Sequence, residues 1–239
     1  MTQTTRAVIF DLDDTLFDHY HSVRAGLMAV QKAYPDLQQR TLDDLTHTYV
    51  DLVESLHIKV LQGLLTLDQA RIQRIQSFFL KYGRTLPADE AQTCANLYRG
   101  AYQAARQTVP GAIALLEHLR TRVKIGIITN NASFEQREKL DFCKLTSLID
   151  VLVISEEVGV IKPDPAIFAI ALDRLACSAS ETVMVGDAWN TDILGAYGVG
   201  IRPVWLNRFG NICPDPSIAT TVTTFEPAAE ITAILLGVP

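Results

Sequence analysis

Two aspartates set two residues apart, Asp11 and Asp13, end the short apolar run Ala7-Val8-Ile9-Phe10 near the start of the chain. Side chains at i and i+2 of an extended segment share a face, so both carboxylates look into one cleft while Asp14 points elsewhere. Neighbouring carboxylates repel one another and desolvate poorly unless something neutralises them. A divalent cation is the usual remedy, and an all-oxygen ligand set selects a hard ion such as Mg2+. Asp187 follows Gly186 at the end of a later apolar run and can complete such a site. Asp192 lies five residues further on, where it suits either a supporting partner of the site or the N-cap of a helix.

The elements that must hold these residues read as alternating strand and helix. Ala7–Phe10 is apolar on both faces, the pattern of a central strand in a parallel sheet. The same pattern recurs at Val123–Thr129, Val151–Ser155 and Thr182–Val185. Ile201–Leu206 is a weaker strand, demoted by Pro203, and Thr220–Thr224 fits an edge strand. Helical patterns separate them: Ala112–Arg120, Phe134–Phe142 with Ser133 as N-cap, Pro165–Leu175, Asp192–Tyr197 and Ala228–Leu236. This alternation predicts an α/β fold, a doubly wound parallel sheet of Rossmann-like type. Ligands of such sheets bind outside the carboxyl ends of the strands. Those ends carry Asp11 and Asp13, Thr129 and Asn130, Ser155, and Gly186-Asp187.

Between the first two strands the chain departs from the pattern. Four helical stretches, at about 20–34, 41–60, 67–82 and 88–106, are broken by Pro35, Gly63 and Gly83 to Pro87. The stretch is far too long for a loop and must fold as its own unit, most simply a four-helix bundle. The expected division is a core of residues 1–17 and 107–239 with an inserted helical domain of residues 18–106.

Composition narrows the partners. The chain has 239 residues, 48% of them hydrophobic, and a formal net charge of -6. An acidic surface without a run of Lys and Arg argues against nucleic acid and anionic membranes. No apolar stretch reaches the roughly 18 residues of a membrane span. The four cysteines, Cys94, Cys143, Cys177 and Cys213, form no CxxC pair and no zinc spacing, which suits a reducing cytoplasm. The polar head Met1–Arg6 has no apolar core of a targeting peptide. The sequence sets no oligomeric state.

Four segments together resemble the haloacid dehalogenase-like (HAD) hydrolase superfamily, in its phosphatase branch with an α-helical cap. Phe10-Asp11-Leu12-Asp13-Asp14-Thr15-Leu16 resembles its first motif and Ile128-Thr129-Asn130 its second. Lys162-Pro163-Asp164-Pro165 is similar to the third, and Gly186-Asp187-Ala188-Trp189-Asn190-Thr191-Asp192 to the fourth. The resemblance implies a Mg2+-dependent phosphomonoesterase. Asp11 would attack phosphorus and form a phosphoaspartate. Asp13 would protonate the leaving oxygen and then activate water. Thr129 and the backbone N–H of Asn130 would bind phosphate oxygens. Lys162 would offset the charge of Asp11 and the phosphoryl group. Asp11, the Asp13 backbone carbonyl and Asp187 would hold the metal, with Asp192 behind them. A carboxylate attacks an anionic phosphate poorly, so cation and lysine must screen the repulsion.

The same resemblance implies that the insertion is a cap that closes the site against water. A cap of this size favours a small phosphate ester: a nucleotide, a sugar phosphate or a phosphoglycolate-like acid. His19, His21 and Arg24 are candidate substrate contacts. The rival readings are a phosphosugar mutase, a haloacid dehalogenase and a non-catalytic HAD-fold binding protein. The dehalogenase lacks an acid at the position of Asp13, and no motif position is lost, as a silent binding protein would allow.

Overall fold

The structure, a computed structural model, describes residues 4–238, and the side chains of Glu54, His57 and Leu61 lie outside the described set. The chain forms two compact units: the residues up to Asp18 together with those from Thr108 onward, and His19–Gln107. The first is built on six parallel strands: β1 (Ala7–Phe10), β2 (Lys124–Thr129), β3 (Val151–Ile154), β4 (Thr182–Gly186), β5 (Arg202–Leu206) and β6 (Thr220–Val222). Their order in the sheet is β3-β2-β1-β4-β5-β6. Phe10 lies opposite Ile127 of β2 and Val185 of β4. The chain fills one side of β1 first and then crosses to the other. The order therefore reverses at β1 and β4, the switch point where open sheets bind ligands.

The inserted unit consists of α1 (His19–Ala33), α2 (Leu42–Leu61), α3 (Leu67–Lys81) and α4 (Ala88–Ala104). Each packs on its neighbours in a closed ring, α1 on α2, α2 on α3, α3 on α4 and α4 on α1. Thr41 caps α2, and Thr66 forms a reciprocal capping box with Gln69 at the start of α3. The α1–α4 seam depends on Gly26, where a Cβ would meet the Tyr98 ring at 2.5 Å. Tyr49 fills the interior, edge-on to Phe78 and tilted against Tyr98.

Helices of the sheet unit are α5 (Ala112–Leu119), α6 (Ser133–Phe142), α7 (Ser155–Val158), α8 (Pro165–Leu175), α9 (Leu194–Gly198) and α10 (Ala228–Leu236). One sheet face presents Ala7, Ile9, Ile128 and Met184 to Ile167, Phe168, Ala171 and Leu175 of α8 and Ala196 of α9. Strand alternation sends Phe10 to the other face, where its ring meets Phe225 just before α10, and α10 packs on α5. Helices thus cover both faces of a parallel sheet, the doubly wound architecture the alternation predicts.

Three local expectations are corrected. Pro203 does not push β5 to the edge: β5 lies between β4 and β6. Its pairing with β6 begins only at Val204, so Pro203 is bordered by β4 alone. Ser133 is the first residue of α6, not its N-cap, and its hydroxyl donates to Glu157 instead. Asp192 does not open the helix after β4 but lies inside a wide turn of π-helical type, Trp189–Ile193, that precedes α9.

Candidate active site

The carboxyl ends of β1 and β4 bring the acidic residues together. Asp11 is the first residue beyond β1, and its N–H donates to the Val185 carbonyl, which fixes it against β4. Lys162, 3% exposed, reaches in from the loop before α8 and contacts two carboxylates. Its Nζ is 2.5 Å from Asp11 Oδ1 and 2.7 Å from Asp192 Oδ1. Asn130, just past β2, clamps the lysine's backbone: Lys162 N–H donates to Asn130 Oδ1 at 2.8 Å, and Asn130 Nδ2 donates to the Lys162 carbonyl at 2.9 Å. The side chain of Asn130 is thus a support for Lys162.

Asp187 follows Gly186 at the end of β4. Its carboxylate accepts from the Thr15 hydroxyl at 3.3 Å, its N–H donates back to Thr15 Oγ1 at 3.1 Å, and its carbonyl accepts from the Trp205 indole at 2.8 Å. Trp189 packs edge-on to Trp205, which makes it part of the floor beneath this segment. Asp192 is fully buried, and its second oxygen accepts from the Ala188 N–H at 3.1 Å. Carboxylate oxygens of Asp11, Asp187 and Asp192 all lie within 4.8 Å of one another.

Three carboxylates around one lysine leave an excess of negative charge. Burial pushes the Asp11 carboxyl up from its ordinary 3.8 to about 7, against the pull of Lys162 and with added push from Asp192 and Asp13. Asp187 is raised well above the ordinary carboxylate range by desolvation and by the charges of Asp11 and Asp192. Burial alone would lower Lys162, but Asp11 and Asp192 outweigh it and its pKa rises, so it stays a cation.

The Asp13 side chain does not join the trio. It turns to Lys139, whose Nζ is 2.5 Å from Oδ1, and to Gln136, whose Nε2 is 2.8 Å from Oδ2. Any part for Asp13 among metal ligands is left to its backbone carbonyl; Asp192 supplies the third carboxylate. Thr129, at the end of β2, is 1% exposed and accepts from the same Gln136 amide at 2.5 Å. Gln136 and Lys139 escape a reading of the sequence, because a glutamine and a lysine in a polar helix look like a solvated face. Only their spacing of three, which puts both on one side of α6, hints otherwise. Of the residues proposed as substrate contacts, His19 bonds the Tyr102 hydroxyl at 2.9 Å and Arg24 pairs with Asp43, both within the helical unit.

The family model of haloacid dehalogenase-like hydrolases matches residues 5–200. The chain is 31% identical to pyrimidine 5'-nucleotidase YjjG of Escherichia coli (strain K12), covering 90% of this chain and 92% of that protein. It is 32% identical to ribulose-1,5-bisphosphate 5-phosphatase of Halopiger xanaduensis, over 83% of each. Among solved structures, the HAD-hydrolase YfnB of Bacillus subtilis, bound to magnesium, shares the fold with a TM-score of 0.74 at 23% identity, over 96% of this chain and 99% of that one. The chain belongs to the haloacid dehalogenase-like hydrolase family, and it is an enzyme of hydrolase type.

Proposed function

We propose that this hydrolase is a magnesium-dependent phosphatase that cleaves a small phosphate monoester through a phosphoaspartate on Asp11. The observation that carries this reading is the buried arrangement in which Lys162 bridges Asp11 and Asp192 beside Asp187. A hard cation suits the donor set, which is all oxygen, and the cluster of carboxylates carries more negative charge than Lys162 offsets. Asp11, Asp187 and the Asp13 carbonyl would hold it, with Asp192 behind them. When bound, magnesium supplies charge neutralisation to the nucleophile and to the phosphoryl oxygens.

The protein's own groups account for the rest. An Asp11 oxygen bonds to phosphorus as the ester oxygen leaves, taking a proton from Asp13. The Asp13 carboxylate then takes a proton from water, whose oxygen bonds to phosphorus and frees Asp11. Lys162 keeps its charge throughout and offsets that of Asp11 and the phosphoryl group. Thr129 donates its hydroxyl, and the Asn130 backbone its N–H, to phosphate oxygens. Asn130's side chain holds Lys162 in register. The helical unit His19–Gln107 is assigned the part of the cap. Named relatives act on a nucleotide and on a sugar bisphosphate, so the substrate class is a phosphorylated metabolite of that size. Four cysteines without a disulfide suit a reducing cytoplasm, and no helix among the described residues is long and apolar enough to cross a membrane.

The test is hydrolysis of p-nitrophenyl phosphate and of a panel of phosphorylated metabolites, with and without Mg2+. Wild type should release free phosphate only with the metal, and Asp11→Asn should be inactive. Turnover that survives Asp11→Asn would remove the covalent route. An isomerised sugar phosphate in place of free phosphate would make the protein a mutase.

A further inference from the structure

The buried face of α6 has an unusual composition: Gln136, Lys139 and Leu140. Lysine is almost never fully buried unless paired, yet Lys139 is 3% exposed. Its partner is the Asp13 carboxylate, and its ammonium also lies 5.2 Å from the centre of the Phe17 ring. Gln136 is completely buried and directs both N–H groups of one amide nitrogen at site oxygens, Asp13 Oδ2 and Thr129 Oγ1. Its own Oε1 is buried without a partner. Turning the amide over would set that oxygen against the Asp13 carboxylate, so the charge of Asp13 fixes its orientation. A buried acceptor left unpaired is unfavourable, and what the fold gains is a grip on two oxygens of the site. Because Thr129 Oγ1 accepts from Gln136, its own proton is left for an incoming phosphate oxygen.

Resting on the reading above, we propose that Gln136 and Lys139 are positioning residues of the reaction. Together they hold the Asp13 carboxyl in one fixed position and keep the Thr129 hydroxyl proton available to the phosphoryl group. Neither residue lies within the four sequence motifs, and the side chains of both are bonded to Asp13 or Thr129. They act through Asp13 and Thr129.

The leaving group separates this role from a merely structural one. Nitrophenolate departs from p-nitrophenyl phosphate with little help from an acid, whereas an alkoxide must be protonated as it leaves. kcat/KM reports the steps up to capture of the phosphoryl group by Asp11. In Lys139→Met and Gln136→Met, kcat/KM for an alkyl phosphate such as glycerol 2-phosphate should fall about 10- to 100-fold more than for p-nitrophenyl phosphate, the scale of a catalytic group misplaced by about 1 Å. Gln136→Met should also raise KM for both esters, through Thr129. In an Asp13→Asn background, Lys139→Met should bring no further selective loss, because the group it positions is gone. If Lys139→Met does not fold, Lys139→Gln, which keeps a donor but not the charge, is read on the same ratio. Equal losses on both esters, or an undiminished loss in the Asp13→Asn background, would overturn the inference. A wild type that hydrolyses no alkyl phosphate at all would instead overturn the phosphatase reading itself.

Discussion

At the scale of single residues, Lys162 decides whether the site can exist. Two carboxylates contact it, and neither it nor they face open solvent: Lys162 is 3%, Asp11 7% and Asp192 0% exposed. Removing one partner from a buried ion pair leaves an uncompensated charge and costs about 3–5 kcal/mol. Lys162→Met should therefore unfold at markedly lower denaturant and lose turnover by about 10²-fold or more. Asp11→Asn removes one of two carboxylates that share a single lysine, so it should be inactive yet as stable as wild type or more so. Denaturant midpoints in the reverse order would show that the lysine does not hold the cluster together. In the sequence, Asp11 and Asp187 stand out because strand ends carry them, whereas Lys162 stands out only through the resemblance of its proline-flanked segment to a family motif. The support shell was not: that Asn130 grips the Lys162 backbone, or that Thr15 exchanges bonds with Asp187, depends on contacts between residues 32 and 172 positions apart.

At the scale of elements, the backbone brings the carboxylates together by close approach. Gly186 ends β4 directly against Asp192, and a Cβ there would stand 2.3 Å from Asp192 Oδ2 and 2.5 Å from its Cβ. The obstacle is a short, fully buried side chain that is already bonded to Lys162 and Ala188, so it cannot swing aside. Gly186→Ala should cost about 1–3 kcal/mol in stability from overpacking. It should cut kcat by about 10²-fold by moving Asp192 and with it Lys162. A variant with normal kcat would show that Asp192 does not set the position of the lysine. The strands were readable because both faces of a central parallel strand are apolar, and the helices because proline and glycine punctuate them. Pro203 misled because the rule against proline in a sheet concerns a missing ladder bond, and β6 starts one residue too late to need it. The turn at Trp189–Ile193 was unreadable because its shape comes from Asp192 bonding back to Ala188, a local contact that composition does not announce.

At the scale of the whole molecule, the fold gathers negative charge where it can least be solvated, in a chain already at -6. Without a cation this arrangement works against folding. Asp11 is ordinarily half-protonated at 3.8 and in the folded protein at about 7. A carboxyl whose folded pKa is raised favours the folded state only while protonated. Its penalty is absent below the ordinary value, grows as pH rises between the two, and is complete above about 7; Asp187 shifts in the same direction. The metal-free protein should therefore lose thermal stability as pH rises from about 4 to about 8, and Mg2+ should restore it at the alkaline end. A ligand at 100 times its Kd stabilises by about 2.7 kcal/mol, which for a chain of this size raises Tm by about 5–10 °C. Asp187→Asn takes one charge out of the cluster, so at pH 8 its metal-free Tm should exceed that of metal-free wild type, and Mg2+ should no longer raise it. An undiminished response to Mg2+ in that variant would place the cation elsewhere, and the phosphoaspartate chemistry argued from this cluster would lose its footing.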